Sequence, residues 1–367
     1  MLTIRIPCPK VRTMPADGRT PNGPDTRLPQ RVALGVLLRS FPPAQVDRVL
    51  DAAGRREQRQ RLLPARLVVY FTLGMWIFNA LPYESILAAI LRDAPGLALP
   101  VGAGEPASAA AIGRARRRLG VEPLKLLFEQ AAGPSAAVGS VRLRGLRLRR
   151  VEVAVPATPA NLLGFGGVPQ PPRDPAARPA RTQARAYLRL LIEDGTGRIV
   201  AADVADSSEP APERLLAEGL RAGSLLIMDE RPLSARLWAS AERLGAEQLW
   251  PLADQARASQ SSLLPDGSLL CKLPADDGSE LAARVVHRSA GGGPARLATS
   301  ILDYRLAPAA ELAARYDERR AEGPGFDGLG SDDRLSLRSK DPELVRQELY
   351  AMLCVHHAIG DLIGPPR

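Results

Sequence analysis

The sequence predicts an α+β protein, a helical N-terminal part followed by a mixed α/β sheet, and three observations carry that prediction. Apolar residues recur at three- and four-residue spacing from Arg27 to about Gly133. From about Leu143 the pattern changes to short apolar-alternating or apolar-continuous runs, two of them joined by the turn Asp194-Gly195-Thr196-Gly197. A helical stretch, PERLLAEGLRAG, then precedes the apolar run SLLIMDE, which closes on Asp229; this is the order expected of a sheet whose site lies at the strand ends.

The helical part covers residues 27–133. RVALGVLLRSF, PAQVDRVLDAA and PLKLLFEQAA are its clearest amphipathic runs, and Pro29, Pro42, Pro43, Pro64, Pro82 and Pro123 punctuate the starts. LVVYFTLGMWIFNAL (67–81) is too short to span a bilayer and reads as a buried helix. In ASAAAIGRARRRL (107–119), Ser108 is placed to cap a helix that carries Arg114, Arg117 and Arg118 on one side. Such a helix could contact DNA or be a plain surface helix. Strands are expected over 146–155, 187–193 and 199–204. Further strand-like runs, separated by LPDGS, PADDGS and SAGGGP, fill residues 247–302. Asp229 is either the cap of the following helix or a functional carboxylate.

Composition narrows the function classes. The chain has 367 residues, of which 45% are apolar, enough for sizeable cores. The first 26 residues are rich in Pro, Gly and Thr, lack an apolar block and are expected to form a mobile arm; the expected compartment is the cytoplasm, with no membrane partner. Cys8, Cys271 and Cys354 stand far apart with no CxxC pair, which argues against a disulfide framework or a zinc site. His287 pairs with no second metal-type residue, and His356 and His357 lie in an apolar run, so all three read as structural. Net charge is +9, carried almost entirely by arginine. VRLRGLRLRR (141–150) gathers Arg142, Arg144, Arg147, Arg149 and Arg150 into a second basic cluster. Each cluster alone could be a solvated face; two in one basic chain favour duplex DNA.

Four blocks, in order, extend these readings. RLPQRVALGVLLRSFPPAQVDRVLDAAGRREQRQRLLPARLVVYFTLGMWIF, SAAAIGRARRRLGVEPLKLLFE, SLLIMDERPLSARLWASAERLGAEQLW and LRSKDPELVRQELYAMLCVHHAI resemble segments of insertion-sequence-4 family transposases, so the resemblance runs from Arg27 to about Leu362. It implies a DNA-binding helical domain over 27–133 and a ribonuclease-H-like domain over 141–245 and 303–367. An inserted β-rich subdomain is implied between them, over 246–302. Double-stranded DNA and a homodimer are the partners it implies. The family's catalytic set, the DDE motif, is two aspartates and a glutamate holding divalent metal; hard carboxylate oxygens suit magnesium, and paired ions stabilise both oxygens of an in-line phosphoryl displacement.

Carried over position by position, the resemblance finds this set incomplete. Asp229 stands in the second aspartate's place, followed by Glu230-Arg231-Pro232 where the family has Arg-Gly-aromatic. The family's Asp-Gly-Thr precedes a Pro-x-Thr-Pro-Ala-Asn segment; PATPAN (156–161) is kept here, but RRVEVAV stands in front of it. Counting forward from Gly145 puts the first aspartate at Glu152, and counting back from PATPAN puts it at Arg149. Tyr316 and Arg319 match the first two positions of the family's Tyr-Arg-Glu-Lys signature. Gly323 and Gly330 occupy the Glu and Lys places, and Glu322 falls one residue early, about a hundred degrees off the helical face. Asp229 is then the single metal ligand expected. The resemblance implies a transposase-derived DNA-binding protein with a degraded metal site, unable to cleave or transfer strands and without a cofactor. The alternatives are an active transposase using Glu152, Asp229 and Glu322 with magnesium or manganese, or a scaffolding protein that keeps the fold for protein interaction.

Overall fold

Prolines open the helices of the N-terminal part in the computed structural model of the chain, which describes residues 28–57, 59, 61–78, 81–97, 107–133, 140–154, 167–168, 183–184, 186–205, 213–228, 233–253, 256–288, 295–321 and 337–363. The helices are α1 (Leu28–Ser40), α2 (Pro43–Ala52), α3 (Ala65–Ile77), α4 (Tyr83–Asp93), α5 (Ala109–Leu119) and α6 (Glu122–Ala131). Pro42, Pro64 and Pro82 sit at the N-caps of α2, α3 and α4 in extended backbone, where a missing N–H loses no helical bond. Ser108 caps α5 as its position predicts, its Oγ accepting from the Ala111 N–H at 3.3 Å. Gly120 ends that helix at φ 72°, a conformation that favours glycine. α3 is buried at Ala65 and from Leu67 through Met75, which explains the apolar run over that span.

The strands are β1 (Arg142–Leu143), β2 (Leu146–Ala154), β3 (Gly167–Val168), β4 (Gln183–Ala184), β5 (Tyr187–Glu193), β6 (Ile199–Ala205), β7 (Ser224–Ile227), β8 (Glu247–Leu252), β9 (Ser259–Leu263), β10 (Leu269–Pro274), β11 (Glu280–His287) and β12 (Arg296–Thr299). Apart from the separate β3–β4 pair, they form one mixed sheet in the order β6-β5-β2-β7-β8-β12-β11-β10-β9, with β1 paired to β2. β2 runs parallel to β7, with Arg149 opposite Leu226, and β7 runs parallel to β8. Val151 and Leu226 therefore lie on neighbouring strands. The β5–β6 hairpin turns through Gly195 and Gly197 at φ 84° and 66°, the left-handed conformations its sequence predicts. α7 (Glu213–Gly219) and α8 (Ala235–Arg243) flank β7. A Cβ on Gly219 would stand 2.7 Å from Leu191 Cδ2 and 2.9 Å from the Ala201 Cβ, so only glycine lets α7 lie this close to β5 and β6.

Two arrangements differ from the sequence-based expectation. Residues 246–302 extend the main sheet instead of standing apart: β8 pairs β7 on one side and β12 on the other, leaving no edge between the two groups of strands. The helical part, in turn, is closed by the C-terminal helix α10 (Pro342–Ile363), which shares one hydrophobic core with α1 through α6 and with β5 and β6. α9 (Ala309–Ala321) covers β2, β7 and β8 on that same face of the sheet with Leu312 and Tyr316 inward, and α7 and α8 cover the opposite face. No helix among the described residues is long and apolar enough to cross a membrane.

His357 joins α10 to the sheet. Its buried ring lies against Phe128, and Nε2 donates to the Ile199 carbonyl at 2.9 Å. Burial, with Arg198 and His356 as further positive neighbours, pushes its pKa down to about 3. The unfolded histidine, near 6.5, then takes up its proton first, so stability present above about pH 6.5 is lost as pH falls towards 3. Between pH 6.5 and 5 this amounts to about 2 kcal/mol. Urea denaturation at pH 7 and pH 5 should show the drop, and equal midpoint stability at the two would contradict it.

Candidate active-site region and basic surface

β2 delivers alternate side chains to opposite faces of the sheet, so Arg150 and Glu152 share the face covered by α9. Arg150 Nε donates to Glu152 Oε1 at 2.5 Å, and its Nη1 pairs with Asp194 in the β5–β6 turn. Arg319, one turn beyond Tyr316 on α9, reaches the same group: its Nη2 donates to Glu152 Oε1 at 3.1 Å and its Nε lies 3.8 Å from Asp194 Oδ1. On the opposite face Arg149 Nη1 bonds Glu193 Oε1 at 2.6 Å, and Thr196 Oγ1 donates to the other oxygen of Glu193 at 3.0 Å. All of these groups are buried or nearly so; the Glu152 side chain is 11% exposed and the Arg319 side chain 3%. Burial works against the charge on Arg150, yet Asp194 and Glu152 outweigh it and raise its pKa above the usual arginine value.

The extended part of the sheet aims the helices of this region. Asp266, in the LPDGS turn, accepts the Ala309 N–H at 2.9 Å and so caps α9; Arg284, fully buried, lies 3.6 Å from the same carboxylate and donates to the Ala307 carbonyl. Asp276, in the PADDGS turn, caps α8 by accepting the Ala235 N–H at 2.8 Å. Arg288, beyond β11, lies over the Tyr316 ring at 5.2 Å and pairs with Asp317. Asp266 and Asp276 act at a distance of some forty residues along the chain. Their signal in the sequence is an aspartate in a tight turn, which by itself says nothing of which helix it serves.

Of the expected catalytic set, Glu152, Tyr316 and Arg319 converge on this face, while Asp229 and Glu322 lie outside the described residues, as do Gly323 and Gly330. The β2–β7 pairing ends at Arg150 and Ile227, two residues before Glu152 on one strand and two before position 229 on the other. Among the described residues no group of three or more His, Cys, Asp or Glu side chains is arranged to hold a metal ion. Glu152 and Asp194 do not suit a divalent metal. Glu152 and Asp194 each face both Arg150 and Arg319, so a cation bound there would sit against two guanidinium groups.

The expected basic surface also changes shape. Arg149 and Arg150 are buried in ion pairs, so they cannot present their charge to DNA; Arg144 is taken up by Glu311 at the surface, and Arg142 donates to the Gly145 carbonyl at 3.0 Å. Arg147 is half-buried. On α5 Arg114 and Arg117 are exposed, with Arg117 3.7 Å from Asp341, whereas Arg118 folds back onto the Leu63 carbonyl at 2.7 Å and Glu57. A third basic run, Arg55, Arg56, Arg59 and Arg61, stands between α2 and α3, and its signal in the sequence is the stretch GRREQRQR.

Residues 31–129 match the family model described as insertion element 4 transposase N-terminal. Transposase InsG of insertion sequence element IS4, from Escherichia coli strain K12, is 26% identical over 337 residues, a span covering 86% of this chain and 74% of that protein. Among solved structures, a piggyBac transposase synaptic complex with hairpin DNA overlaps 91% of this chain and 77% of its own at a TM-score of 0.37 and 10% identity. Endonuclease V from Streptomyces avermitilis overlaps 60% of this chain and 96% of its own at a TM-score of 0.24 and 14% identity.

Proposed function

We propose that this chain, a relative of the insertion-sequence-4 transposases, binds duplex DNA and neither cleaves nor transfers strands. The observation that carries the reading is the state of Glu152, the acid reached by counting from Gly145. Its Oε1 is held by Arg150 and Arg319 together, so the carboxylate that would anchor a metal is committed to arginine. The strand order supports a ribonuclease-H-like reading of the sheet: the first long strand, β2, lies between β5 and β7, and β7 leads to position 229. The DNA reading rests on the net charge of +9 and on the exposed arginines of α5, within the segment that matches the transposase N-terminal family.

Incubation with supercoiled plasmid and magnesium or manganese tests the catalytic half. No nicking is expected. Metal-dependent nicking abolished by Asp229→Ala would replace this reading with an active transposase using Glu152, Asp229 and Glu322. Fluorescence anisotropy on a duplex oligonucleotide tests the other half: with six or more phosphate contacts, affinity should fall by about 10³-fold or more between roughly 50 and 200 mM salt. Failure to bind at low salt would favour a scaffolding role.

A further inference from the structure

We propose that the cavity between the 54–61 segment and α5 is a binding site for a backbone phosphate of duplex DNA. The proposal rests on the DNA-binding reading above and names where on the helical part that contact is made. The cavity measures about 320 Å³ and is lined by Arg55, Arg56, Arg59, Arg61, Arg118 and Glu57. Glu57 is the one acid among its described lining residues, and it is already engaged, with Oε2 accepting the Ala65 N–H at 2.8 Å and Oε1 facing Arg118 at 3.4 Å. Arg56 is balanced by Asp51 at 2.6 Å. Arg55, Arg59 and Arg61 have no carboxylate partner among the described residues.

Two of the guanidinium groups are held in place by backbone. Arg55 Nη1 donates to the Arg118 carbonyl at 3.3 Å, and Arg118 Nη2 donates to the Leu63 carbonyl. Arg55 also lies over Gly120, with its Nη2 3.4 Å from where a Cβ would stand, an ordinary van der Waals contact. Preorganised guanidinium forks match the geometry of a phosphate, and the gathered like charges are relieved by an anion. The rest of the lining is Gly54, Ala65, Ala115 and Leu119. No described lining residue is aromatic, so nothing there stacks a base, which favours the sugar-phosphate backbone over a base or a free nucleotide. Arg59 and Arg61 are exposed at the rim, and α5 carries the exposed Arg114 and Arg117 onward from the same wall.

Anisotropy titrations of the full chain with a duplex oligonucleotide, at several salt concentrations, decide the matter. Arg59→Gln/Arg61→Gln changes only exposed side chains and should leave thermal stability unchanged. It should weaken binding about tenfold or more and reduce the salt slope by about 0.9, the share of the one phosphate the cavity holds. Arg214→Gln/Arg236→Gln removes the same charge from exposed positions on α7 and α8 and should change affinity far less. If the wild-type chain binds and the rim variant binds equally well with the same slope, the site is wrong and the DNA reading stands. A wild-type chain that binds no duplex overturns both. Displacement of the duplex by phosphatidylglycerol vesicles, with vesicle binding lost in the rim variant, would reassign the cavity to lipid headgroups and also overturn the proposal.

Discussion

Arg150→Ala should destabilise the protein by about 3–5 kcal/mol, the range found when one member of a buried ion pair is removed. The arginine is buried with Asp194, whose side chain is fully buried, and with Glu152. Truncation therefore leaves two carboxylates in a low-dielectric site with less positive charge. Arg319 still stands 3.1 Å from Glu152 and 3.8 Å from Asp194, which places the expected loss towards the lower end of that range. Arg150→Met together with Asp194→Asn should cost less than the sum of the two single changes, because an apolar or neutral replacement of both partners removes the stranded charge. Urea denaturation of the four proteins measures the coupling. A loss below about 1 kcal/mol for Arg150→Ala would show that Arg319 balances both acids alone.

Arg116→Ala should have an effect of similar size, about 3–5 kcal/mol, and should loosen the join between the helical part and α10. Arg116 is 1% exposed. Its Nε donates to Gln347 Oε1 at 2.9 Å, Nη1 to Tyr83 and Ser339 at 3.1 and 3.2 Å, and Nη2 to the Leu344 carbonyl at 3.2 Å. Glu348 lies 3.9 Å away and accepts the Arg338 and Ser339 N–H groups, tying the approach to α10 into the same network. Alanine would leave those acceptors buried without their donor. Lysine should not restore them, since one ammonium cannot reach the positions that the guanidinium fork occupies. Limited proteolysis should cut the variant near the start of α10 faster than the wild type, and denaturation should begin at lower urea. Unchanged proteolysis and a stability within about 1 kcal/mol of wild type would mean that α10 is held by its apolar face alone.

The sequence by itself determined the features that depend on neighbours along the chain. Prolines at helix starts, the Ser108 cap, the glycines of the 194–197 turn and the starts of β2, β5 and β6 follow from local backbone preferences, and each is formed within a few residues. The resemblance to insertion-sequence-4 transposases was legible for the same reason, being carried by contiguous blocks. Glu152 could be reached by counting, and Tyr316 and Arg319 by their spacing. What surrounds them could not: Arg149 meets Glu193 across 44 residues, Arg319 meets Glu152 across 167, and Arg116 meets Gln347 across 231. In RARRR and RLRR nothing local distinguishes the arginine that will be buried from the one that will face solvent. Helix phase and strand alternation limit the choice to a face, and only the packing of α9 against the sheet and of α10 against α5 decides which face is interior. The tertiary structure thus turned Arg116, Arg149 and Arg150 from apparent surface charge into core ion pairs and polar bonds, because a buried guanidinium persists only where acceptors from distant segments meet it.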